Sequence, residues 1–260
     1  MTNLTVHSRI LRKRLLELSQ QCGALHLAPA FSCLEIIDVV YRQLAPKFND
    51  FDFIISKGHG YLAQLAVLES LKKVPTDLLD RIGSDGSLYG GHPDRGQPGI
   101  IASTGSLGHG LGLAVGLSIS KSLKKSDSAT VVLISDGELQ EGSTWENLIN
   151  APALSAENLV LIIDNNDMQT VGTMSKTHPH LYPIDNKLKS LGWEVAAVDG
   201  HDTDVMKAEL DSLGKKFGCF ALVARTVKGR GVSFMESSSI WHYRSPNTEE
   251  FAMALEELGF

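Results

Sequence analysis

The stretch that decides the fold covers residues 129–172 and reads ATVVLISDGELQEGSTWENLINAPALSAENLVLIIDNNDMQTVG. Two short apolar runs rich in Val and Ile, at residues 131–134 and 159–163, have the length and β-branched content of strands that are buried on both faces of a parallel sheet. Between them, residues 144–154 have a helical pattern. The stretch therefore predicts a strand, a crossover helix and a second, parallel strand.

The polar residues that follow these two strands suit a magnesium ion. Because the carboxyl ends of parallel strands meet at the same edge of a sheet, Asp136 and Asn166 are expected to lie side by side. Mg²⁺ prefers about six oxygen ligands, and proteins usually supply few of them while phosphates and water supply the others. We expect the Asp136 carboxylate, the Asn166 amide oxygen and the main-chain carbonyl of Met168 to bind it. Gly137 would let the backbone approach a phosphate closely.

At these residues the chain resembles the thiamine diphosphate enzymes, whose signature is Gly-Asp-Gly followed further along the chain by Asn. Here Asn166 stands thirty positions after Asp136, within Asp164-Asn165-Asn166. The chain has Ser135 in place of the first Gly of the signature, and Val171 where many relatives carry Asp. The serine matters little if its φ is negative and its hydroxyl points away from the phosphate, whereas Val171 affects a loop contact and leaves the predicted metal ligands in place.

Composition limits the class of protein. A chain of 260 residues is within the range of one large α/β domain, so we expect residues 1–260 to form a single domain with a mostly parallel central sheet and helices on both faces. The net charge of −6 argues against a nucleic-acid partner, and no apolar run approaches the roughly 18–20 residues that span a membrane. Three cysteines without metal-binding spacing indicate reduced thiols in a cytoplasmic protein.

Further elements can be predicted outside the central stretch. Residues 51–55, 193–198 and 220–226 have strand patterns. The sequence Ser32-Cys33-Leu34-Glu35 fits a capping box and predicts a helix that begins there and continues to about Leu44.

Four of the nine histidines lie in loops whose local sequences resemble transketolase in particular. His26 precedes a proline-containing turn, His59 lies in Ser-Lys-Gly-His, His92 lies in Gly-His-Pro, and His242 follows Trp241 after a Lys-Gly-Arg-Gly segment. Together with Thr-Gly-Ser-Leu-Gly at 104–108, these matches cover nearly the whole chain in family order. The other histidines that we considered, His7, His178, His180 and His201, are interpreted as structural.

The resemblance to transketolase implies a set of cofactor contacts. It assigns Mg²⁺ or Ca²⁺ to Asp136, Asn166 and the carbonyl of Met168. It assigns thiamine diphosphate to residues in five loops, namely Gly105, Ser106, Leu107, Gly137, Asn166, His59, Lys228 and His242.

The resemblance also implies catalytic residues and an interface. His26, His59, His92 and His242 would lie at the substrate and move protons between sugar oxygens while a carbon–carbon bond breaks. Glu141 and Glu146 would belong to a carboxylate network at a subunit interface. For these two glutamates, a simple helix-entry position favoured by the helix dipole is a competing interpretation.

The resemblance covers only the diphosphate-binding part of such an enzyme. Thiamine diphosphate enzymes hold the aminopyrimidine in another domain, for which this chain leaves too little sequence. We therefore expect a chain that is inactive alone and that serves as the N-terminal subunit of a split transketolase. It would pair with a separate pyrimidine-binding subunit in an α2β2 heterotetramer that acts on sugar phosphates, with no nucleic acid and no membrane as partners.

Three alternatives stay open at this point. A two-subunit 2-oxoacid dehydrogenase also separates its diphosphate subunit, although the four histidines favour transketolase. An enzyme similar to 1-deoxyxylulose-phosphate synthase would use the same cofactor, but this alternative requires a longer chain. A non-catalytic regulatory subunit could retain the fold, although the intact Asp136, Asn166 and four histidines argue against it.

Overall fold

The computed structural model of the chain describes residues 4–23, 25–48, 51–170 and 172–260. Its centre is one sheet of five parallel strands in the order β1-β2-β3-β5-β4. The strands are β1 Phe51–Ile55, β2 Ala129–Ser135, β3 Leu159–Asn165, β4 Glu194–Asp199 and β5 Cys219–Arg225. The strands thus lie where the short apolar runs predict them, with ends that differ by one or two residues.

Ten α-helices connect and cover these strands within the described residues. They are α1 Val6–Cys22, α2 Leu27–Lys47, α3 Tyr61–Ser70, α4 Thr76–Leu79, α5 Gly110–Leu123, α6 Gly142–Ala153, α7 Met174–Thr177, α8 Ile184–Ser190, α9 Thr203–Ser212 and α10 Thr248–Glu257. Among the residues described, no helix combines the length and apolar character that crossing a bilayer requires.

Each face of the sheet has its own hydrophobic core, because successive strand residues point to opposite faces. On β2, Val131 and Leu133 pack into one core, which contains residues of α1, α2, α3 and α9. Val132 and Ile134 pack into the other, which contains residues of α5, α6 and α8. The predicted parallel sheet with helices on both faces is therefore confirmed.

The predicted capping box at Ser32 is wrong. Helix α2 begins at Leu27, so Ser32 and Glu35 lie inside it, and both side chains are buried. The Ser32 hydroxyl donates to Asp164 Oδ1 over 2.8 Å instead of capping a helix end. Pro29 is compatible with the earlier start because proline is tolerated in the first turn of a helix.

The strand register determines which residues meet at the carboxyl edge of the sheet. Ser135 of β2 pairs with Asp164 of β3, and Asn165 pairs with Arg225 of β5. The residues that follow these three strands are consequently neighbours in space. The loop after β1 joins them, since Ser56 N–H donates to the carbonyl of Leu133 over 2.8 Å.

Candidate functional site

The predicted metal ligands lie together at this edge. We call Asp136, Asn166 and Met168 the oxygen cluster. Asp136 is 1% exposed, and its carboxylate accepts the N–H of Gly137 over 2.9 Å and the N–H of Asp167 over 2.6 Å. Because Asp167 directly follows Asn166, the second hydrogen bond ties the end of β2 to the end of β3.

The side chain of Asn166 is held at both of its polar atoms. Its Nδ2 donates to the Ser32 hydroxyl over 2.9 Å, and its Oδ1 accepts the N–H of Met168 over 3.0 Å. These two bonds fix which side of the amide carries the oxygen. The oxygen therefore faces the turn that contains Met168, as a shared cation site would need.

The surroundings of Asp136 disfavour its anion. Burial, and then the charge of nearby Asp164, raise the pKa of Asp136 to about 7. The hydrogen bonds from the two N–H groups and from the Tyr182 hydroxyl, at 3.2 Å, oppose this rise without cancelling it. A divalent cation would stabilise the carboxylate strongly in such a place.

The neighbouring backbone also leaves room for a phosphate. A Cβ built on Gly137 meets its nearest protein atom, the Ser135 hydroxyl, only at 3.8 Å, so the protein packing does not itself require glycine there. Among the described residues no three His, Cys, Asp or Glu side chains form a metal-binding group. The oxygen cluster combines one carboxylate with an amide and a carbonyl, and this donor set fits Mg²⁺ or Ca²⁺.

A buried ion pair lies beneath the oxygen cluster. Lys57 and Asp164 are both fully buried, and the Lys57 ammonium donates to Asp164 Oδ2. The other oxygen of Asp164 accepts from Ser32 and from the hydroxyl of Thr226. Burial alone would lower the pKa of Lys57 and raise that of Asp164, but their mutual attraction reverses both shifts, so both groups are charged.

The four predicted histidines form a second group, which we call the histidine cluster. The ring of His26 is central: its centroid lies 6.0 Å from that of His59, 5.3 Å from that of His92 and 5.2 Å from that of His242. The rings of His59 and His242 are 5.5 Å apart. Four loops that are distant in sequence therefore bring their imidazoles to one place.

Burial keeps His26, His59 and His242 neutral. It lowers the pKa of His26 to about 4 and, with the charge of Lys228, lowers the pKa of His242 to about 3. The pKa of His59 is also well below its usual value because of burial and of the charge of Lys57. Lys228 is itself 2% exposed, and burial followed by repulsion from Lys57 lowers its pKa to about 8.

The hydrogen bonds assign different tautomers to two of the histidines. His26 Nδ1 lies 3.0 Å from the main-chain carbonyl of His242, so it carries the proton and leaves Nε2 as an acceptor. His242 Nδ1 lies 2.7 Å from the Lys228 ammonium and accepts from it, so in His242 the Nε2 carries the proton. The two rings thus offer one acceptor and one donor.

The loop with Thr-Gly-Ser-Leu-Gly packs onto the loop that carries His59. A Cβ on Gly58 would lie 3.1 Å from the Cα of Gly105, which is tighter than an ordinary van der Waals contact. Gly108 has φ +85°, and a Cβ there would lie 2.7 Å from the Cβ of Glu141. The buried Glu138 accepts the N–H of Gly108 over 2.8 Å and joins this loop to the one after β2.

A cavity of about 320 Å³ lies between the two clusters. Its walls include residues of both clusters and of the intervening loop, among them His59, Leu107, Gly137, Glu141, Met168 and His242. Gly105 and Ser106 are exposed beside it, and Leu107 is half-buried. The structure therefore places the residues predicted to contact the cofactor around or beside one cavity.

The remaining predicted positions are less enclosed. His92 is exposed and in ring contact with His26. Glu141 and Glu146 are exposed, so their role at an interface stays a prediction. The difference at Val171 lies outside the described residues. The hydroxyl of Ser135 accepts the N–H of Glu138 over 3.2 Å, which is the role of a helix cap.

Several residues of the site were missed at the level of sequence. They are the half-buried Tyr182 and the buried polar groups behind the clusters, namely Ser32, Lys57, Glu138 and Asp164. For Lys57 and Asp164 a signal existed, since each follows or ends an apolar strand run and so lies at the edge that carries the site. Tyr182 offered no such signal, because its loop has no periodic pattern.

Comparisons with known proteins agree with this geometry. Residues 16–260 match the family described as transketolase, thiamine diphosphate binding domain. One named subunit of the apulose-4-phosphate transketolase of Phocaeicola vulgatus is 34% identical, over 98% of this chain and 93% of that protein. The 6-deoxy-6-sulfo-D-fructose transketolase subunit SqwG of a Clostridium species is 30% identical, over 98% of this chain and 96% of that protein.

Solved structures show the same fold in longer chains. The transketolase of Leishmania mexicana superimposes with a TM-score of 0.85 at 25% identity, and that of Campylobacter jejuni with 0.87 at 23% identity. This chain is covered to 98% and 97% in these superpositions, but it spans only 41% and 42% of those chains.

Proposed function

Because this chain belongs to the transketolase family, we propose that it is the diphosphate-binding subunit of a two-subunit transketolase, which transfers a two-carbon ketol unit from a ketose to an aldose. The membership confirms the resemblance predicted from the sequence, and the superpositions confirm the predicted thiamine-diphosphate-binding fold. The proposal concerns what this chain does with its cofactor, its substrate and its partner.

The oxygen cluster would hold the metal and the diphosphate. Asp136, Asn166 and the carbonyl of Met168 would bind Mg²⁺ or Ca²⁺, and Gly137 would contact the diphosphate with its backbone. Gly105, Ser106 and Leu107 would contact the thiamine part. When bound, thiamine diphosphate supplies the nucleophilic carbon that exchange of a ketol unit requires.

The histidine cluster would handle the protons of the sugar. The unprotonated Nε2 of His26 can accept a proton from a hydroxyl, while the Nε2–H of His242 can donate to a carbonyl oxygen. Both functions require neutral rings, and the lowered pKa values of His26 and His242 provide them near pH 7. His59 and His92 would complete the contacts to the substrate and the diphosphate.

One observation carries the proposal. A cavity of about 320 Å³ is lined by Met168 of the oxygen cluster, which suits a metal and a diphosphate, and by His59 and His242 of the histidine cluster, which suits a polyhydroxylated substrate. A 2-oxoacid has no row of hydroxyl groups for four histidines to contact. The arrangement therefore favours ketol transfer over 2-oxoacid oxidation.

Substrate and partner follow from the relatives. The names of two relatives specify ketoses that carry a phosphate or a sulfonate, so we propose an anionic ketose as the donor. Both names specify one subunit of a transketolase, which supports a separate pyrimidine-binding partner in an α2β2 heterotetramer. Residues 1–260 would form one domain, and the three free cysteines support a cytoplasmic location.

The test uses the tagged chain purified from its source cells together with the partner that it retains. We expect Mg²⁺-dependent and thiamine diphosphate-dependent ketol transfer from a panel of phosphorylated and sulfonated ketoses, and no transfer by the chain alone. Replacement Asp136→Asn should abolish the transfer and weaken thiamine diphosphate binding at least ~100-fold, since loss of groups that merely support a metal ligand already costs up to about that factor.

The matched control is Asp127→Asn. Asp127 precedes the same strand at the opposite end of the sheet and is 63% exposed, so the variant removes the same charge far from the cavity. We expect it to retain transfer and binding. Oxidation of a 2-oxoacid with an electron acceptor, or full ketol transfer by the chain alone, would overturn the proposal.

A further inference from the structure

A buried chain of charged and polar groups runs behind the histidine cluster without touching the cavity. Arg12 of α1 is fully buried and donates through Nη2 to Glu35 Oε2 of α2 over 3.0 Å. The same oxygen accepts from His201 Nδ1 over 3.0 Å, and the His201 side chain is 8% exposed. Three separate parts of the chain therefore meet at one carboxylate.

Both ends of this buried chain hold the loop that follows β5, residues 227–231. At one end, His201 Nε2 accepts the N–H of Val227 over 2.9 Å. At the other, Arg12 Nε donates to the main-chain carbonyl of Arg230 over 2.6 Å. His201 and Arg12 thus bind the backbone of the loop on either side of Lys228, and both are hydrogen-bonded to Glu35.

Lys228 is the contact between this loop and the histidine cluster. Its ammonium donates to His242 Nδ1 over 2.7 Å, and the main-chain carbonyl of His242 accepts from His26 Nδ1 over 3.0 Å. A shift of the 227–231 loop would therefore reach both rings. We propose that Arg12, Glu35 and His201 are positioning residues, which fix the 227–231 loop and thereby the hydrogen bond from Lys228 that sets the tautomer of His242.

The arrangement of charges supports positioning over stability alone. Burial would raise the pKa of Glu35, but the charge of Arg12, aided by the hydrogen bonds from His201 and Arg12, lowers it, so the carboxylate is charged. Apolar residues of similar volume can often replace a buried ion pair without loss of stability. They would supply neither the directed bond to Arg230 nor the bond to His201.

Glu35 also determines what His201 can do. By accepting from Nδ1, the carboxylate holds the proton on that nitrogen and leaves Nε2 free to accept the N–H of Val227. The link between Glu35 and the 227–231 loop therefore depends on an imidazole whose Nδ1 donates to Glu35 and whose Nε2 accepts from Val227. For comparison, the carboxylate and carbonyl partners that orient metal-binding histidines contribute about 10–100-fold to metal affinity or activity.

The test separates the two nitrogens of His201. In His201→Gln the side-chain amide can reach the position of Nε2 and still accept the N–H of Val227. In His201→Asn the shorter amide reaches only the position of Nδ1, so the hydrogen bond from Val227 is lost. The exposed His178→Asn variant is the control for the same replacement elsewhere. Tm is measured for all of them, so that loss of the fold is recognised.

The first readout is nitrogen NMR of histidine rings in the full chain, without cofactor, substrate or partner. We expect His242 to have its proton on Nε2 in the natural chain, in His201→Gln and in His178→Asn, and to average between both tautomers in His201→Asn. Should His201→Asn fail to fold, Glu35→Gln should shift the same His242 signals. Unchanged signals of His242 in folded His201→Asn or Glu35→Gln would overturn the inference.

The second readout rests on the proposed function and uses the assembled pair of subunits. We expect kcat of ketol transfer to fall ~10-fold or more in His201→Asn, with KM for the ketose little changed, and to be largely retained in His201→Gln. Equal losses in both variants, with a parallel fall in Tm, would show a merely structural role. If the pair transfers no ketol unit, the proposed function fails while the NMR result still decides the positioning role.

Discussion

The oxygen cluster and the histidine cluster both contribute residues to the wall of the same cavity, yet they are held in place by different means. Asp136 and Asn166 directly follow neighbouring strands, so the register of β2 and β3 brings them together. His26, His59, His92 and His242 lie in four separate loops, and helices and buried polar groups hold these loops. Backbone hydrogen bonds thus set one half of the site, and side-chain contacts set the other.

The two clusters also respond to burial in opposite directions. Burial raises the pKa of Asp136 and lowers those of His26 and His242, and both shifts favour the uncharged form. Beneath the oxygen cluster, the charges of Lys57 and Asp164 are paired. The cavity is therefore a poorly solvated place in which a metal ion and a diphosphate would bring their own opposite charges.

The largest loss of unfolding free energy is expected when the buried ion pair beneath the oxygen cluster is broken. In Lys57→Met the carboxylate of Asp164 loses its cation while it stays fully buried, and breaking such a pair typically costs about 3–5 kcal/mol of unfolding free energy. Urea unfolding of the chain without metal or cofactor measures this loss. The double variant Lys57→Met/Asp164→Leu should recover part of it, because the unpaired charge is gone.

The control for this prediction is Lys216→Met. Lys216 and Asp127 lie 3.9 Å apart with side chains that are 72% and 63% exposed, so water already screens the pair and the urea midpoint should not move. Equal losses in Lys57→Met and Lys216→Met would show that the buried pair does not support the strand ends.

In the histidine cluster we expect a smaller effect on the free energy of unfolding, and this effect depends on pH. His26 and His242 have folded pKa values of about 4 and about 3, below the value of about 6.5 that histidine has in an unfolded chain. Between pH 6.5 and 4 these two rings therefore bind more protons in the unfolded state, and their contribution to the free energy of unfolding should fall as the pH falls, whereas Asp136, with its raised pKa, contributes in the opposite direction.

Urea unfolding at several pH values between 6.5 and 4.5 measures this dependence. In His242→Gln one of the titrating rings is gone, so the free energy of unfolding should change less steeply with pH. The exposed variant His178→Gln should keep the natural slope. An identical slope in all three chains would mean that the cluster does not resist protonation.

The contrast between the clusters also explains what the sequence could predict. The neighbourhood of Asp136 and Asn166 follows from two apolar runs and the geometry of a crossover, which are local patterns. The meeting of the four histidines was predicted only from a family resemblance, because no local pattern relates loops so distant in sequence. Sequence periodicity gives strands and helices, and it says little about which loops touch.

Ser32 and Glu35 illustrate the other limit. Their spacing satisfies the capping-box pattern, but the helix begins earlier because the preceding residues also pack into the core. Their side chains then bond to partners on other elements, Asp164 of β3 and Arg12 of α1. Two polar residues in the otherwise apolar stretch 27–37 of this helix were a signal for such long-range contacts, whereas their partners could not be identified without the fold.

The smallest effect is expected at Tyr182, which supports the oxygen cluster from outside. Its hydroxyl lies 3.2 Å from Asp136 Oδ2 and 3.2 Å from Asp167 Oδ1, so it donates to one carboxylate at a time. In Tyr182→Phe the Asp136 side chain keeps its two bonds from backbone N–H groups, and we expect Mg²⁺ affinity in the presence of thiamine diphosphate to fall by about 10-fold at most. Calorimetric titration of the assembled subunits with Mg²⁺ measures the change.

The control is Tyr41→Phe, which loses a buried hydrogen bond from Gln64 far from the cavity. It should leave the Mg²⁺ affinity unchanged although it costs some stability. If Tyr182→Phe instead abolished metal binding, the backbone would not be the main support of Asp136, and the distinction between a half set by strands and a half set by side chains would fail.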